Sequence, residues 1–139
     1  MQMRSFEAKD QERVVKLWRE CDLIVPWNDP YKDIQRKLKV DPDLFIVGEI
    51  AGVIVATVMG GYEGHRGWIN YLAVSPAHQR KGYGRQLVAF VESRIKQKGC
   101  PKINLQVRQS NTDVIKFYEA IGYGKDNVIS LGKRLESDN

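Results

Sequence analysis

Apolar residues recur along this chain with two different spacings, and the spacings predict its helices and strands. One helical face has apolar residues at i, i+3, i+4 and i+7, namely Val14, Leu17, Trp18 and Cys21. The helix that carries them is predicted to follow a capping Asp10 and to end near Glu20. Strict alternation of apolar and polar residues, which is typical of a half-buried strand, occurs within Lys102–Arg108.

Turn and capping residues place the other elements. A second helix is predicted to begin at Asp29 and Pro30, a capping residue followed by proline at the first helical position, and to bury Ile34 and Leu38. The other predicted elements begin with a first strand at Met3–Phe6 and a hairpin of Leu44–Ile50 and Val53–Met59 that turns at Ala51-Gly52. They continue with a polar loop at Gly60–Gly67, a strand at Trp68–Val74 and a helix from the Gln79–Gly84 stretch to about Lys98. The last are a helix capped by Asn111 and a strand at Val128–Leu135. This order predicts a mixed sheet with helices on its faces.

Length and composition favour one folded domain, residues 1–139. Apolar residues make up 42% of the chain and charged residues 28%, which is typical of globular proteins. The longest apolar run, Val53–Gly61, is interrupted by Thr57 and is too short to span a membrane. The first six residues lack the apolar stretch of a signal peptide. We therefore expect a cytoplasmic protein with no membrane partner.

Neither the charged residues nor the possible metal ligands indicate a nucleic-acid site or a metal site. The net charge is +5, yet the basic residues are scattered and mostly accompanied by acids, so a nucleic-acid-binding domain is an unfavoured alternative. Cys21 and Cys100 are expected to be free thiols. His65 and His78 lie far apart in a chain without a Cys-x-x-Cys pair, so no metal site is expected.

The stretch Gln79–Gly84 is the strongest candidate for a binding site. Two glycines and neighbouring cations lie where a predicted strand gives way to a helix. Glycine lets a ligand approach the backbone closely, and the first amides of a helix attract anions, so the stretch is suited to a phosphate. On the glycines alone, a simple chain reversal is an equally good interpretation.

Two sequence motifs, together with the distance between them along the chain, resemble the GCN5-related N-acetyltransferase (GNAT) family. Its phosphate signature matches Gln79, Gly82 and Gly84, preceded by the usual strand ending in Leu72, Val74 and Pro76. A second signature matches Asn111, Phe117-Tyr118-Glu119 and Gly122-Tyr123. The resemblance spans about Met3 to Leu135. Three further segments are similar to the bacterial YpeA-type subgroup, namely Pro26–Pro30, Gly60–Gly67 and Ser130–Leu135.

The resemblance implies an α/β (α+β) fold with a mixed central sheet of six to seven strands and about four helices, splayed at an acetyl-CoA site. Acetyl-CoA is then the cosubstrate, with no metal. Its pyrophosphate is expected on the backbone of Gln79, Arg80, Lys81, Gly82, Tyr83, Gly84 and Arg85. Its pantetheine arm is expected to pair like an added strand with Leu72, Ala73 and Val74. The resemblance adds Asn111 and Tyr118 to the cofactor-binding residues.

Catalytic roles follow from the same resemblance. Tyr118 matches the family's general acid, and a phenol with a pKa of about 10 stays protonated at neutral pH. Helical spacing alone favours Tyr118 as a core aromatic residue instead. Glu63 is the first choice for a general base, although an exposed loop carboxylate is more often only solvated. His65 is the second candidate, and a dedicated base is not required for the assignment.

The acceptor is not specified by the sequence. Trp27 and Asn28 occupy the segment that often walls the acceptor site in this family, with a buried loop-anchoring Trp27 as the alternative. His65, Asn70 and Tyr71 are further acceptor-site candidates. A small-molecule amine and a protein amine both remain open as acceptors, as does a homodimer. The main alternative function is a non-catalytic acyl-CoA sensor, which would need no acid.

Overall fold

The fold contains one mixed sheet of five strands. The computed structural model describes all 139 residues, whose contacts divide into two units, residues 1–105 with 138–139 and residues 106–137. The strands of the first unit are β1 Gln2–Ser5, β2 Phe45–Ile50, β3 Val53–Tyr62, β4 Gly67–Val74 and β5 Ile103–Leu105. They lie in the order β1-β2-β3-β4-β5, antiparallel except for the parallel β4–β5 pair.

Helices of the first unit cover both faces of this sheet. They are α1 Gln11–Glu20, α2 Pro30–Lys37 and α3 Tyr83–Gln97. On one face, α1 and α2 pack over a core that includes Trp18, Ile34 and Phe45, all fully buried. On the other face, α3 packs directly on the strands, because a Cβ built at Gly60 would lie 2.6 Å from Val91 Cγ2. None of the helices is long and apolar enough to cross a membrane.

Aromatic rings form the centre of the α1–α2 face. Phe6 stacks on Phe45 with 4.4 Å between ring centroids, and Trp18 lies 6.1 Å from Phe45. Trp18 also stacks on Tyr71 of β4 at 3.8 Å. Such ring pairs bury large apolar areas in fixed geometry. The stack therefore ties α1 to strands β2 and β4, and through Phe45 to Phe6, the residue that follows β1.

Several local predictions are confirmed. The Asp29 carboxylate caps α2 by accepting hydrogen bonds from the amides of Tyr31 at 2.9 Å and Lys32 at 3.4 Å. The hairpin turns at Ala51 and Gly52, with φ of 51° and 78°, which fits the type I′ turn of a two-residue hairpin.

The number of strands is a correction. The predicted last strand, Val128–Leu135, is not formed, and its four large apolar side chains are 77–91% exposed. A strand needs a partner for its backbone groups, and the second unit contains no other strand. The strand predicted at Lys102–Arg108 is shortened to β5, whereas β3 extends to Tyr62. The sheet consequently has five strands rather than six or seven.

Two side chains also differ from expectation. Leu38 is 38% exposed instead of buried, because α2 ends at Lys37. Asp10 does not cap α1 with its side chain. Its carboxylate instead accepts hydrogen bonds from the Arg4 guanidinium at 2.8 and 2.9 Å and from the Glu7 amide at 2.8 Å. The Asp10 carboxylate thus binds the Arg4 cation and the Glu7 amide in preference to the first amides of α1.

The second unit contains one helix, α4, Thr112–Ala120. Asn111 occupies the position before its first residue, as predicted, but makes no side-chain capping bond. Gly122, with φ of 104°, follows the helix end. Residues 124–137 have no regular secondary structure. That the whole chain, residues 1–139, forms a single N-acetyltransferase domain stays a prediction.

Candidate active site

One side of β4 is open over its second half. Pairing between β4 and β5 covers only Gly67, Trp68 and Ile69. From Asn70 to Val74, β4 pairs in the sheet with β3 alone. Backbone N–H and C=O groups must be paired with something, so such an edge is suited to an extended ligand that adds as a strand.

A β-bulge lies within this open half. The register between β3 and β4 jumps from Thr57 opposite Ala73 to Met59 opposite Asn70. Two residues of β4, Tyr71 and Leu72, therefore stand where β3 has only one. Tyr71 has φ of 51°, a left-handed conformation that is unusual for a bulky residue. A bulge re-aims the backbone groups beside it and is over-represented near active sites.

Three side chains hold Tyr71 in this conformation, and we call them the bulge support: Trp18, Asp33 and Thr57. The Tyr71 ring stacks on Trp18, and its hydroxyl donates to Asp33 Oδ2 at 2.6 Å. The Tyr71 carbonyl accepts a hydrogen bond from the Thr57 hydroxyl at 3.0 Å. Burial raises the pKa of Tyr71 well above its usual range, and the bond to Asp33 raises it further. The phenol consequently stays protonated at neutral pH.

The bulge support continues into an ionic cluster on α2. Arg36 donates to Asp33 Oδ1 at 3.1 Å and to Asp138 Oδ1 at 2.7 Å. The Asp138 side chain is only 1% exposed and also accepts the Asp29 amide at 2.8 Å. Lys32 Nζ donates to the Asp138 carbonyl at 2.8 Å. Charge-assisted bonds of this kind fix α2 beside the bulge.

The stretch Gln79–Arg85, which we call the glycine loop, follows the open end of β4. Gly82 has φ of 83° and immediately precedes α3, and Arg80 has φ of 63°. The amide of Gln86 makes the bond to the Gly82 carbonyl that begins the helix, at 3.1 Å. The amides of Tyr83, Gly84 and Arg85 precede it and have no acceptor within the helix. Together with the positive end of the helix dipole, they form a surface for an anion.

The glycine loop and the bulge region meet at the Val74 carbonyl. Gln79 Nε2 donates to this oxygen at 3.0 Å, and so does Cys21 Sγ at 3.3 Å. The end of β4, the end of α1 and the start of the loop are thereby connected. Three cationic side chains, Arg80, Lys81 and Arg85, are exposed around the loop.

The acceptor-site candidates of the first unit lie in different surroundings. Trp27, in the segment before α2, is 50% exposed, so its interpretation as a buried loop anchor is wrong. Asn28 is partly buried there. Asn70 is exposed on β4 and directly precedes the bulged Tyr71.

Glu63 and His65 lie at the other end of β4. They belong to the loop 63–66, before Gly67, whereas the bulge is five residues further along the strand, roughly 17 Å at ~3.3 Å per residue. The Glu63 carboxylate accepts the amides of His65 and Arg66, the latter at 2.7 Å. These bonds lower its pKa and make it a weaker base. The structure does not bring either residue to the open half of β4.

Tyr118 belongs to the second unit, as does Asn111. The Tyr118 ring is buried and makes edge contacts with Phe117 at 5.0 Å and with Tyr123 at 5.4 Å. Burial raises the pKa of its hydroxyl well above the usual range. The group is therefore protonated over the whole neutral pH range, and the same rise in pKa makes it a weaker acid than a solvated phenol.

The bulge support was not identified from the sequence. Trp18 fits an apolar helical face, so it was interpreted as core, and Asp33 is an ordinary polar residue of a short helix. The single available signal was Thr57, a hydroxyl residue within an apolar run. A buried polar group needs a hydrogen-bond partner, so its position indicates a buried polar contact but not which one. The chain has no group of three or more His, Cys, Asp or Glu residues arranged to hold a metal ion.

Comparison with known proteins finds a matching family model and relatives that span almost the whole chain. Residues 12–123 match the model of the acetyltransferase (GNAT) family. An acetyltransferase of Sodalis glossinidius is 50% identical over 139 residues, covering 99% of this chain and 98% of the relative. An acetyltransferase of Yersinia enterocolitica is 48% identical over 138 residues, with the same coverage.

A solved structure shows the same fold. The enzyme AAC(6')-Iy, in complex with a bisubstrate analogue of CoA and acetylneamine, superposes with a TM-score of 0.78 at 20% identity. The match covers 96% of this chain and 97% of that one. The α+β arrangement of helices around a mixed sheet is thus shared with that structure.

Proposed function

The chain belongs to the GNAT acetyltransferase family, and from this premise we propose that it is an acetyl-CoA-dependent N-acetyltransferase that modifies a primary amine by direct attack. The observation that carries the proposal is the open half of β4, Asn70–Val74, next to the glycine loop. An extended arm that ends in a phosphate group fits this combination, because one part offers strand pairing and the other offers free amides. Membership of the YpeA-type subgroup stays a prediction.

Acetyl-CoA is assigned to the two parts as follows. Its pyrophosphate lies on the amides of Gly82–Arg85, with the exposed cations of the loop contributing long-range attraction. Its pantetheine amides pair with the backbone of Leu72–Val74. The CoA-derived ligand in the aminoglycoside acetyltransferase structure supports this assignment for a chain of the same fold.

The reaction joins the amine nitrogen to the thioester carbonyl carbon and breaks the carbon–sulfur bond. Negative charge develops on the carbonyl oxygen, and a backbone amide at the bulge, that of Leu72 or its neighbour, stabilises it. Tyr118 donates its proton to the departing thiolate. The amine is neutral when it attacks and releases its proton to water afterwards, so the proposal gives no base role to Glu63 or His65.

The acceptor is assigned to the α1–α2 side of the bulge. Trp27 and Asn28, before α2, and Asn70 and Tyr71, on β4, form the proposed walls. A half-exposed indole beside polar groups is typical of a surface that contacts a ligand. These walls leave the choice between a small-molecule amine and a protein amine open.

Two measurements test the proposal in sequence. Calorimetry should show that the purified protein binds acetyl-CoA, and a panel of amines should reveal one that releases free CoA. With that amine, Tyr118→Phe should lower kcat by about 10²- to 10⁴-fold with little loss of acetyl-CoA affinity, since the substitution keeps the ring and removes only the hydroxyl. Absence of acetyl-CoA binding would refute the proposal, whereas tight binding without turnover on any amine would favour a sensor.

A further inference from the structure

We infer that Thr57 and Trp18 are positioning residues for catalysis, because they hold the β4 bulge so that its amides face the open side of the strand. This inference rests on the proposed function. The two residues form a relay, in which Trp18 Nε1 donates to Thr57 Oγ1 at 2.9 Å and Thr57 Oγ1 donates to the Tyr71 carbonyl at 3.0 Å. Neither residue contacts the proposed path of acetyl-CoA, so neither is a catalytic residue.

The hydroxyl of Thr57 is fully used by this relay. A threonine hydroxyl has one proton to donate, and here that proton goes to Tyr71. Thr57 and Trp18 are both 0% exposed, so water cannot replace either bond. A buried hydroxyl without partners destabilises a core. The hydrogen bond to the Tyr71 carbonyl explains why a threonine hydroxyl lies in the apolar β3 strand.

The bond acts on the backbone of the bulge itself. Tyr71 is in a left-handed conformation, which is unfavourable for a residue with a Cβ. In a regular strand without the bulge, every residue beyond it would exchange sheet faces, and the amides of Leu72 and Ala73 would exchange edges. The relay favours the bulged register, because it gives the Tyr71 carbonyl a partner in that register.

The other contacts of Tyr71 act on its side chain. Stacking on Trp18 and the hydroxyl bond to Asp33 hold the ring. They restrict where Tyr71 points, whereas the Thr57 hydroxyl restricts where its carbonyl and the following amide point. Removal of the Thr57 hydroxyl should therefore affect the oxyanion-stabilising amide more directly than loss of the ring contacts.

The test measures polarisation of the thioester carbonyl, which needs no acceptor. Acetyl-CoA labelled with ¹³C at the carbonyl is bound to the full-length protein, and its infrared carbonyl stretch is compared with that of free acetyl-CoA. In the wild type we expect a shift to lower frequency, since a hydrogen bond weakens the C=O bond. Thr57→Val, which keeps the shape and removes the hydroxyl, should lose most of this shift, and Thr57→Ser should restore it.

Turnover gives a second readout once an acceptor is known. Thr57→Val should lower kcat by about tenfold or more with little change in the acetyl-CoA Kd, below the loss on removing an oxyanion donor outright. Val91→Ala, on the opposite face of the sheet, is the matched control for a core destabilised without loss of the relay. Should Thr57→Val not fold, Trp18→Phe removes the indole donor while keeping an aromatic ring at this position, and it should give a partial loss of the shift.

The outcomes separate this inference from the proposed function. A wild-type protein that does not bind acetyl-CoA overturns both. A wild-type shift that Thr57→Val retains overturns the inference and leaves the acetyltransferase proposal standing. A shift lost equally in Thr57→Val and Val91→Ala also overturns it, because the effect then follows from general destabilisation.

Discussion

The two halves of the proposed cosubstrate site are built in opposite ways. The bulge is held from beneath by side chains of three separate elements, the buried Trp18 of α1 and Thr57 of β3 and the partly buried Asp33 of α2. The glycine loop is exposed and is shaped by its own backbone, with Arg80 and Gly82 at positive φ. One half therefore depends on the packed core, whereas the other depends on local conformation. Substitutions that remove the support of the bulge should therefore mainly affect folding, whereas substitutions in the glycine loop should mainly affect binding.

The largest expected effect is on stability, at Trp18. Trp18→Ala removes a fully buried ring and leaves Thr57 without its donor, so it should lower the free energy of unfolding by about 3–5 kcal/mol. Urea denaturation monitored by circular dichroism measures this. Lys81→Ala, in the exposed glycine loop, is the control and should change stability by less than about 0.5 kcal/mol. Equal losses of stability in the two variants would contradict the idea that the bulge depends on the packed core whereas the glycine loop depends on its own backbone.

An intermediate effect is expected at Gly82, and mainly on binding. Its φ of 83° strains any residue with a Cβ, although the space beside it is open. Gly82→Ala should lower stability by about 1–2 kcal/mol and weaken acetyl-CoA binding in calorimetry. Gly82→Asn is the matched control and should lose less, because asparagine tolerates the left-handed region. If the Gly82→Ala variant bound acetyl-CoA as tightly as the wild type, the loop conformation of the ligand-free protein would not be the one that binds acetyl-CoA.

The smallest effect concerns Cys21, at the junction of the two halves. Burial raises the pKa of its thiol, and the nearby Glu20 carboxylate adds to the rise. A raised pKa means less thiolate at any given pH, so alkylation of Cys21 should be slower in the folded protein and its pH profile should shift upward. Mass spectrometry of the Cys21 peptide after iodoacetamide treatment measures the rate. The urea-unfolded chain is the reference, and identical pH profiles in the two states would place the thiol in solvent.

The sequence could predict the glycine loop because the loop is a local feature. The spacing of Gly82 and Gly84, the strand before them and the helix after them are all contained in residues 67–97. The type I′ hairpin at Ala51-Gly52 and the cap at Asp29 were predictable for the same reason. In each case the conformation is set by neighbours in the chain.

The bulge support could not be predicted in this way. Thr57 and Tyr71 are separated by 14 residues, and Trp18 and Thr57 by 39, so their contacts depend on the register of the whole sheet. The mostly apolar sequence of β4 does not mark the point at which its register with β3 shifts. The predicted strand at Val128–Leu135 was wrong for a related reason. A pattern of apolar residues describes what a strand would bury, but not whether a partner strand is present.

The contacts of Asp138 carry a consequence for how the chain folds as it is synthesised. Asp138 binds the Asp29 amide across 109 residues. At ~5–20 residues per second, α2 leaves the ribosome roughly 5 to 20 s before this partner exists. A helix forms in microseconds, so during that interval α2 lacks the Asp138 contacts and has its own cap, its Asp33–Arg36 pair and its packing through Ile34. The α2 side of the bulge is thus expected to become rigid late, after the sheet and its aromatic stack have formed.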